Sequence, residues 1–145
     1  MNQEELKEIL EEHSLWLASE GAEGKYADLR GADLYFANLK GANLKGADLK
    51  YADLRRAGLD SANLSDANLA GADLKHADLR LADLRDANLV GADLEGANLK
   101  DAILEDAYLK GANLCNAKNT GKSLDYLLKK CKGINHFKKQ AGFKD

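Results

Sequence analysis

The sequence predicts an all-β solenoid across nearly two-thirds of the chain, and three observations carry that prediction. Leucine recurs at every fifth position from Leu29 to Leu114, eighteen times without a miss. Alanine stands two residues before each of them, from Ala27 to Ala112. Between the two sits Asp or Asn in fifteen of the eighteen units, the exceptions being Gly58, Ile103 and Tyr108.

A period of five fits neither regular template. In a helix, five residues turn the chain through about 500°, so successive leucines would step around the whole circumference by roughly 140°. In a straight strand they would fall on alternate faces. A chain that bends once per unit keeps them together. In Ala-x-Leu the two apolar side chains point the same way, as alternation in an extended segment requires, and the next two residues turn a corner. Gly at 31, 41, 46, 71, 91, 96 and 111 supplies a permissive corner residue. The Asp or Asn points outward, where its short side chain bonds nearby backbone. The expected core therefore includes Leu29, Leu34, Leu49, Leu69, Leu89 and Leu109 with Ala27, Ala67 and Ala87.

Units such as Ala27-Asp28-Leu29-Arg30-Gly31 and Ala92-Asp93-Leu94-Glu95-Gly96 resemble the pentapeptide-repeat family. Its unit is a small residue, Asp or Asn, Leu or Phe, and two variable residues. The resemblance implies a right-handed, four-sided (quadrilateral) β-helix with four units, twenty residues, to the coil. Eighteen units then make about 4.5 coils, a rod roughly 22 Å long at the ~4.8 Å spacing of paired strands. One coil cannot bury its own Leu and Ala, but stacked coils share a continuous core.

Charge and composition divide the chain further. Residues 1–25 carry seven Glu against two Lys (−5), residues 26–117 fifteen acids against eleven bases (−4), and residues 118–145 eight Lys against two Asp (+6). We expect three parts: an N-terminal helical cap over 1–25, the β-helix over 26–117, and a C-terminal helix with a basic tail over 118–145. Stacked coils expose an unpaired edge at each end, which a flanking element must cover. Leu6, Ile9, Leu10, Trp16 and Leu17 form a helical stripe with Asn2 as its N-cap, and suit the first edge. Leu124, Leu127 and Leu128 with Cys131, behind Ser123 as N-cap, suit the second, with Gly133 ending that helix. The early aromatics Tyr26, Tyr35, Phe36 and Tyr51 are expected beneath the first helix. The N-terminal polar face is acidic, the wrong sign for an anionic membrane. No signal-peptide pattern and no spanning apolar run is present, and two cysteines make no disulfide framework, so a cytoplasmic location is expected.

The residues offer no catalytic constellation. His13, His76 and His136 lie in three regions, and the positions twenty from His76 are Arg56 and Gly96, neither of them a nucleophile. His76 reads as a surface residue. Cys115, Cys131 and His136 match no tight metal spacing, and no Gly precedes a phosphate-binding Lys-Ser/Thr. The chain is thus expected to be no enzyme and to hold no cofactor or metal.

In a twenty-residue coil, Asp33, Asp53, Asp73 and Asp93 form one column, relieved by Arg55 and Lys75, and Asp66, Asp86 and Asp106 form a second without such relief. Leu81, Val90, Ile103 and Tyr108 place apolar residues outward where the repeat needs none. Together with the second column they are the candidate interaction surface. The reading is a non-enzymatic scaffold whose partner is a protein. As an alternative, some members of the family imitate duplex DNA, bind type II topoisomerases and protect gyrase from quinolones, but the bases in the coil and the +6 end count against mimicry here. A second alternative is nucleic-acid anchoring through Lys129–Lys144 with Phe137 and Phe143. The C-terminal segment either plugs the last coil around Leu114, leaving a monomer, or, as the family resemblance implies, forms a homodimer.

Overall fold

The computed structural model describes residues 1–118. The expected C-terminal cap (Leu124, Leu127, Leu128), Cys131, His136 and the basic tail lie outside the described residues. One helix, α1 (Gln3–Ala18), precedes a coil made entirely of single β-bridges joined by two-residue turns. Asn2 caps α1 reciprocally: its side chain accepts from the Glu5 amide, and the Glu5 carboxylate accepts from the Asn2 amide. The chain then runs back along the helix, where the Lys25 amide donates to the Glu12 carbonyl at 3.1 Å. Gly24 makes that approach possible, since a side chain there would collide with the Glu12 carbonyl and the Trp16 amide.

Parallel bridges join residues twenty apart, in fifteen steps from Asp28↔Asp48 to Asn98↔Lys118. Twenty residues hold four five-residue units, so each coil has four sides. We number the sides by their leucines: side one carries Leu29, Leu49, Leu69, Leu89 and Leu109; side two Leu34 to Leu114; side three Leu39 to Leu99; side four Leu44 to Leu104. All eighteen leucines are buried, none more than 4% exposed. Every repeat alanine is buried except Ala32 and Ala42 in the first coil, which are partly covered.

The backbone accounting explains the consensus. Within one unit the Leu amide donates to the coil above (Leu29 to the Asp48 carbonyl, 2.7 Å), as does the corner amide (Gly31 to Lys50, 2.8 Å). The middle residue donates to the coil below (Asp48 to Ala27, 3.0 Å), and the next Ala closes the turn (Ala32 to Leu29, 3.1 Å). One amide remains, that of the residue after Leu, and the middle side chain takes it: the Arg30 amide donates to Asp28 Oδ1 at 3.3 Å. All fifteen middle Asp or Asn side chains accept this bond two residues on. Asp or Asn therefore satisfies the one amide that neither turn nor ladder reaches. Gly58, Ile103 and Tyr108 offer no such acceptor.

All eighteen corners, from Gly31 to Asn116, are left-handed, with φ between 56° and 71°. Glycine fills seven. Eleven carry a side chain, so corner chemistry is wider than glycine alone predicts.

Candidate interaction surface

α1 lies across the open edge of the first coil. Leu6 is buried with the coil core, and Ile9 and Leu10 pack partly buried against it; Trp16 and Leu17 are half-buried. His13, which continues the same three-to-four-residue stripe, is fully buried. The Ala27 amide donates to His13 Nδ1 at 3.1 Å, so Nδ1 is the unprotonated nitrogen, and Nε2–H donates to the Lys45 carbonyl at 3.0 Å. In an interior coil the carbonyl in that register accepts a backbone amide, as Ser65 does from Gly46. The imidazole thus substitutes for a missing coil. Burial lowers its pKa, only partly offset by the Lys45 carbonyl.

The early aromatics depart from expectation. Only Tyr26 meets the helix, edge-on to Trp16 with centroids 5.5 Å apart. Tyr35, Phe36 and Tyr51 are 48%, 60% and 66% exposed, because α1 covers the coil's end and they decorate its sides. Phe36 packs edge-on to Tyr35 at 4.7 Å, and Arg55 and Arg56 lie over the Tyr35 and Phe36 rings at 5.3 and 5.7 Å.

On side two the first acidic column is an alternating ladder. Arg55 bonds Asp53 and reaches Asp73 at 3.9 Å; Lys75 bridges Asp73 (3.4 Å) and Asp93 (2.9 Å). Asn113 continues it, its amide donating to Asp93 at 3.1 Å. The Arg55, Arg80 and Arg85 side chains hydrogen-bond Asp53, Asp78 and Asp83 and hold those carboxyls below the ordinary carboxylate range. Asp53, Asp78 and Asp83 are thus each neutralised by a base on their own side, and Arg85 also stands within electrostatic reach of Asp86 at the next corner.

The second column differs. Asp66, Asp86 and Asp106 occupy the corner between sides four and one, all exposed. Ile103 (44% exposed) sits on side four beside that corner and Tyr108 (41%) on side one, while Val90 (40%) lies in the turn that leaves side one for side two. Leu81, 61% exposed, turns the corner between sides three and four. The structure therefore gathers Ile103 and Tyr108 on either side of the acidic corner and puts Leu81 at the far margin of side four and Val90 at the far margin of side one. No group of three His, Cys, Asp or Glu among the described residues is placed to hold a metal. Cys115 is partly buried. No described helix is long and apolar enough to cross a membrane.

The pentapeptide-repeat model matches this chain in eight copies, over residues 27–66, 62–101 and 92–118. The chain belongs to the pentapeptide-repeat family. Pentapeptide-repeat proteins form right-handed quadrilateral β-helices and are in general non-catalytic scaffolds. Among solved structures this repeat protein is similar to one from the thylakoid lumen of Arabidopsis thaliana, at 32% identity and TM-score 0.69, covering 75% of this chain and 76% of that one. It is also similar to a pentapeptide repeat protein of Nostoc PCC 7120, 35% identical, covering 81% of this chain and 89% of that one, at TM-score 0.49. A plasmid-mediated fluoroquinolone resistance protein matches at 15% identity and TM-score 0.39, over 65% of this chain and 69% of that one, and carries no functional argument at that distance. No curated protein matches.

Sequence reasoning missed His13, although its place in the Leu6–Leu10–Trp16 stripe was a usable signal. The histidine reads as polar and so drops out of an apolar count.

Proposed function

We propose that this pentapeptide-repeat protein is a non-enzymatic scaffold of about 4.5 coils, closed at its first edge by α1, which binds a partner protein through sides four and one. The observation that carries the reading is where the repeat breaks its own rule. At Ile103 and Tyr108 the chain gives up the Asp or Asn that satisfies a backbone amide and presents an exposed apolar side chain instead. Leu81 does the same at a left-handed corner, where a branched-chain residue costs about 1–2 kcal/mol relative to glycine. Each departure is unfavourable to the fold and favourable to contact with an apolar surface. The neighbouring Asp66, Asp86 and Asp106, set against the neutralised ladder of side two, add a directional charge that selects a basic rim on the partner.

Imitation of duplex DNA is the weaker reading. It needs a rod of unneutralised charge, and most coil acids here face a base.

The test is a repeat-conforming variant, Leu81→Gly/Ile103→Asn/Tyr108→Asn, which restores the consensus and preserves folding. Affinity capture with the wild-type chain should recover a partner that the variant loses. If both proteins recover the same partners with equal yield, sides four and one are not the binding surface.

A further inference from the structure

One aromatic pair has no use in the coil. Tyr35 and Phe36 stand exposed where side two turns into side three, diagonally across the rod from the acidic corner. Phe36 holds a left-handed backbone, φ 57°, which glycine meets without strain at seven other corners. The two rings are nevertheless fixed in place. They meet edge-on, and Arg55 and Arg56 lie over them at 5.3 and 5.7 Å. The two arginines differ in one respect. Arg55 is held by Asp53 and reaches Asp73, whereas Arg56 is exposed and meets no carboxylate among the described residues. The corner column above Phe36 continues through Arg56, His76, Gly96 and Asn116 and contains no acid.

We propose that this corner binds a flexible acidic segment of another protein, a Glu or Asp flanked by apolar residues. Arg56 receives the carboxylate, and Phe36 and Tyr35 receive the apolar side chains. Three observations select that chemistry. A guanidinium already resting on a ring has given up much of its freedom, so its fork of N–H donors takes an external carboxylate at small further cost. Arg56 has that capacity unspent, while Arg55 beneath the same patch spends its own on Asp53 and anchors the Tyr35 ring. The surroundings then discriminate among anions. Asp53, Asp73 and Asp93 run along the adjoining side, so a continuous row of phosphates meets repulsion that a single carboxylate at the corner avoids. The arginines also occupy ring faces on which a nucleic-acid base would stack, leaving ring edges that suit apolar side chains. Finally, a corner is convex. A flexible segment can wrap it, whereas a flat rigid face touches it along a line.

This corner shares no residue with sides four and one and stands or falls independently of the surface proposed there. The experiment is an NMR titration of the isotope-labelled full chain with an acetylated, amidated peptide of Glu-Leu-Gly triplets. Saturable shifts are expected at the Phe36, Arg56 and His76 amides and at the Arg56 Nε–H. Phe36→Gly, which restores the unstrained corner, and Arg56→Gln should each weaken binding at least about fivefold, and so should Gln in place of Glu in the peptide. Circular dichroism identical to wild type would show that both variants fold. Absence of saturable shifts at this corner at millimolar peptide overturns the proposal, as does undiminished binding by Arg56→Gln or by the Gln peptide. Shifts centred on Leu81 and Ile103 instead would move the peptide to sides four and one and overturn it too. An oligothymidylate that binds this corner more tightly than the peptide would make it a nucleic-acid surface and refute the assigned partner.

Discussion

Replacing His13 by leucine removes the two hydrogen bonds that tie α1 to the first coil while keeping an apolar side chain of similar bulk against Trp16. The cost follows from what is left behind. The Ala27 amide belongs to a residue 1% exposed, so no water replaces the lost Nδ1 acceptor, and an orphaned buried amide costs about 1–3 kcal/mol. The Lys45 carbonyl lies nearer solvent and loses only the net worth of one bond, about 0.5–1.5 kcal/mol. The total is about 1.5–4.5 kcal/mol, enough to release α1 before the coil unfolds. Trp16, the only tryptophan, stacks on the His13 ring with centroids 5.9 Å apart and reports the release directly. Urea titration followed by Trp16 fluorescence measures it. A loss under about 0.5 kcal/mol would refute this reading of the contact.

The same geometry fixes a pH dependence. Protonated His13 carries hydrogen on both nitrogens and cannot accept from Ala27, and burial likewise holds its folded pKa below the ordinary value. The unfolded chain therefore binds the proton more readily. Stability is fully present above the unfolded value near 6.5 and is lost as the pH falls below it. The groups packed around the ring are Trp16, Tyr26 and the Lys45 and Ala27 backbone, with Tyr26 pushed upward by burial and so silent in this window. The arginine-paired carboxyls of Asp53, Asp78 and Asp83 titrate below the usual carboxylate value and act in a separate, more acid window. His13→Leu should abolish the loss that sets in as the pH falls below about 6.5. Retention of the wild-type slope in the variant would assign the effect elsewhere.

Gly58→Asn should stabilise the protein by about 1–2 kcal/mol, because the new side chain supplies the missing acceptor for the Asp60 amide and removes a glycine's unfolded-state freedom. Gly58 lacks the positive φ of the corners, and a Cβ there meets only the Ala37 carbonyl at 4.0 Å; destabilisation in thermal melts would contradict the amide accounting. Gly71→Ala and Gly91→Ala share the left-handed penalty of about 1 kcal/mol, but only at Gly71 does the added methyl strike the Tyr51 ring, 2.5 Å away. Gly71→Ala should thus cost at least about 1 kcal/mol more, a difference that Tyr51→Ala erases in a double-mutant cycle. Leu69→Asp puts a carboxylate at the centre of the stack, where the residue is wholly buried, and should prevent folding; a soluble variant with an unchanged β-type circular dichroism spectrum would refute the core assignment.

Much of the fold is written in the sequence because one constraint repeats. Ala and Leu at fixed spacing read as an inward pair without any long-range information, and the twenty-residue columns follow once the coil has four sides. The outward Asp or Asn was legible as a backbone partner, but not which amide it serves, since that depends on how the turn and the ladder divide the other four. Corner chemistry was only half legible: glycine marks seven corners, while Tyr51 or Arg56 in the left-handed region contradicts local preference and is imposed by the coils on either side. The early aromatics misled because apolar character alone does not say whether a residue faces the end of a solenoid or its flank. Tyr35, Phe36 and Tyr51 belong to the flank by their place in the unit.

The corners are also where function is most readable. The core fixes Ala and Leu, and the unpaired amide fixes Asp or Asn, so the last two residues of each unit carry the freedom of the sequence. Of these the corner is subject to one demand, a positive φ, which glycine meets without strain and Asp or Asn meets at low cost. Asp66, Asp86, Asp101, Asp106 and Asn116 fit that demand; Leu81 does not, and it is 61% exposed besides. A residue that is both conformationally unfavourable and apolar in water contributes nothing to the monomer. Leu81→Gly should therefore raise stability by about 1 kcal/mol. If Leu81 serves a partner, the same change must weaken complex formation, so that stability and binding move in opposite directions in one variant. A Leu81→Gly protein that is more stable and binds as well as wild type would strip this corner of any role in recognition. One that is less stable would refute the conformational penalty assigned to leucine at this corner.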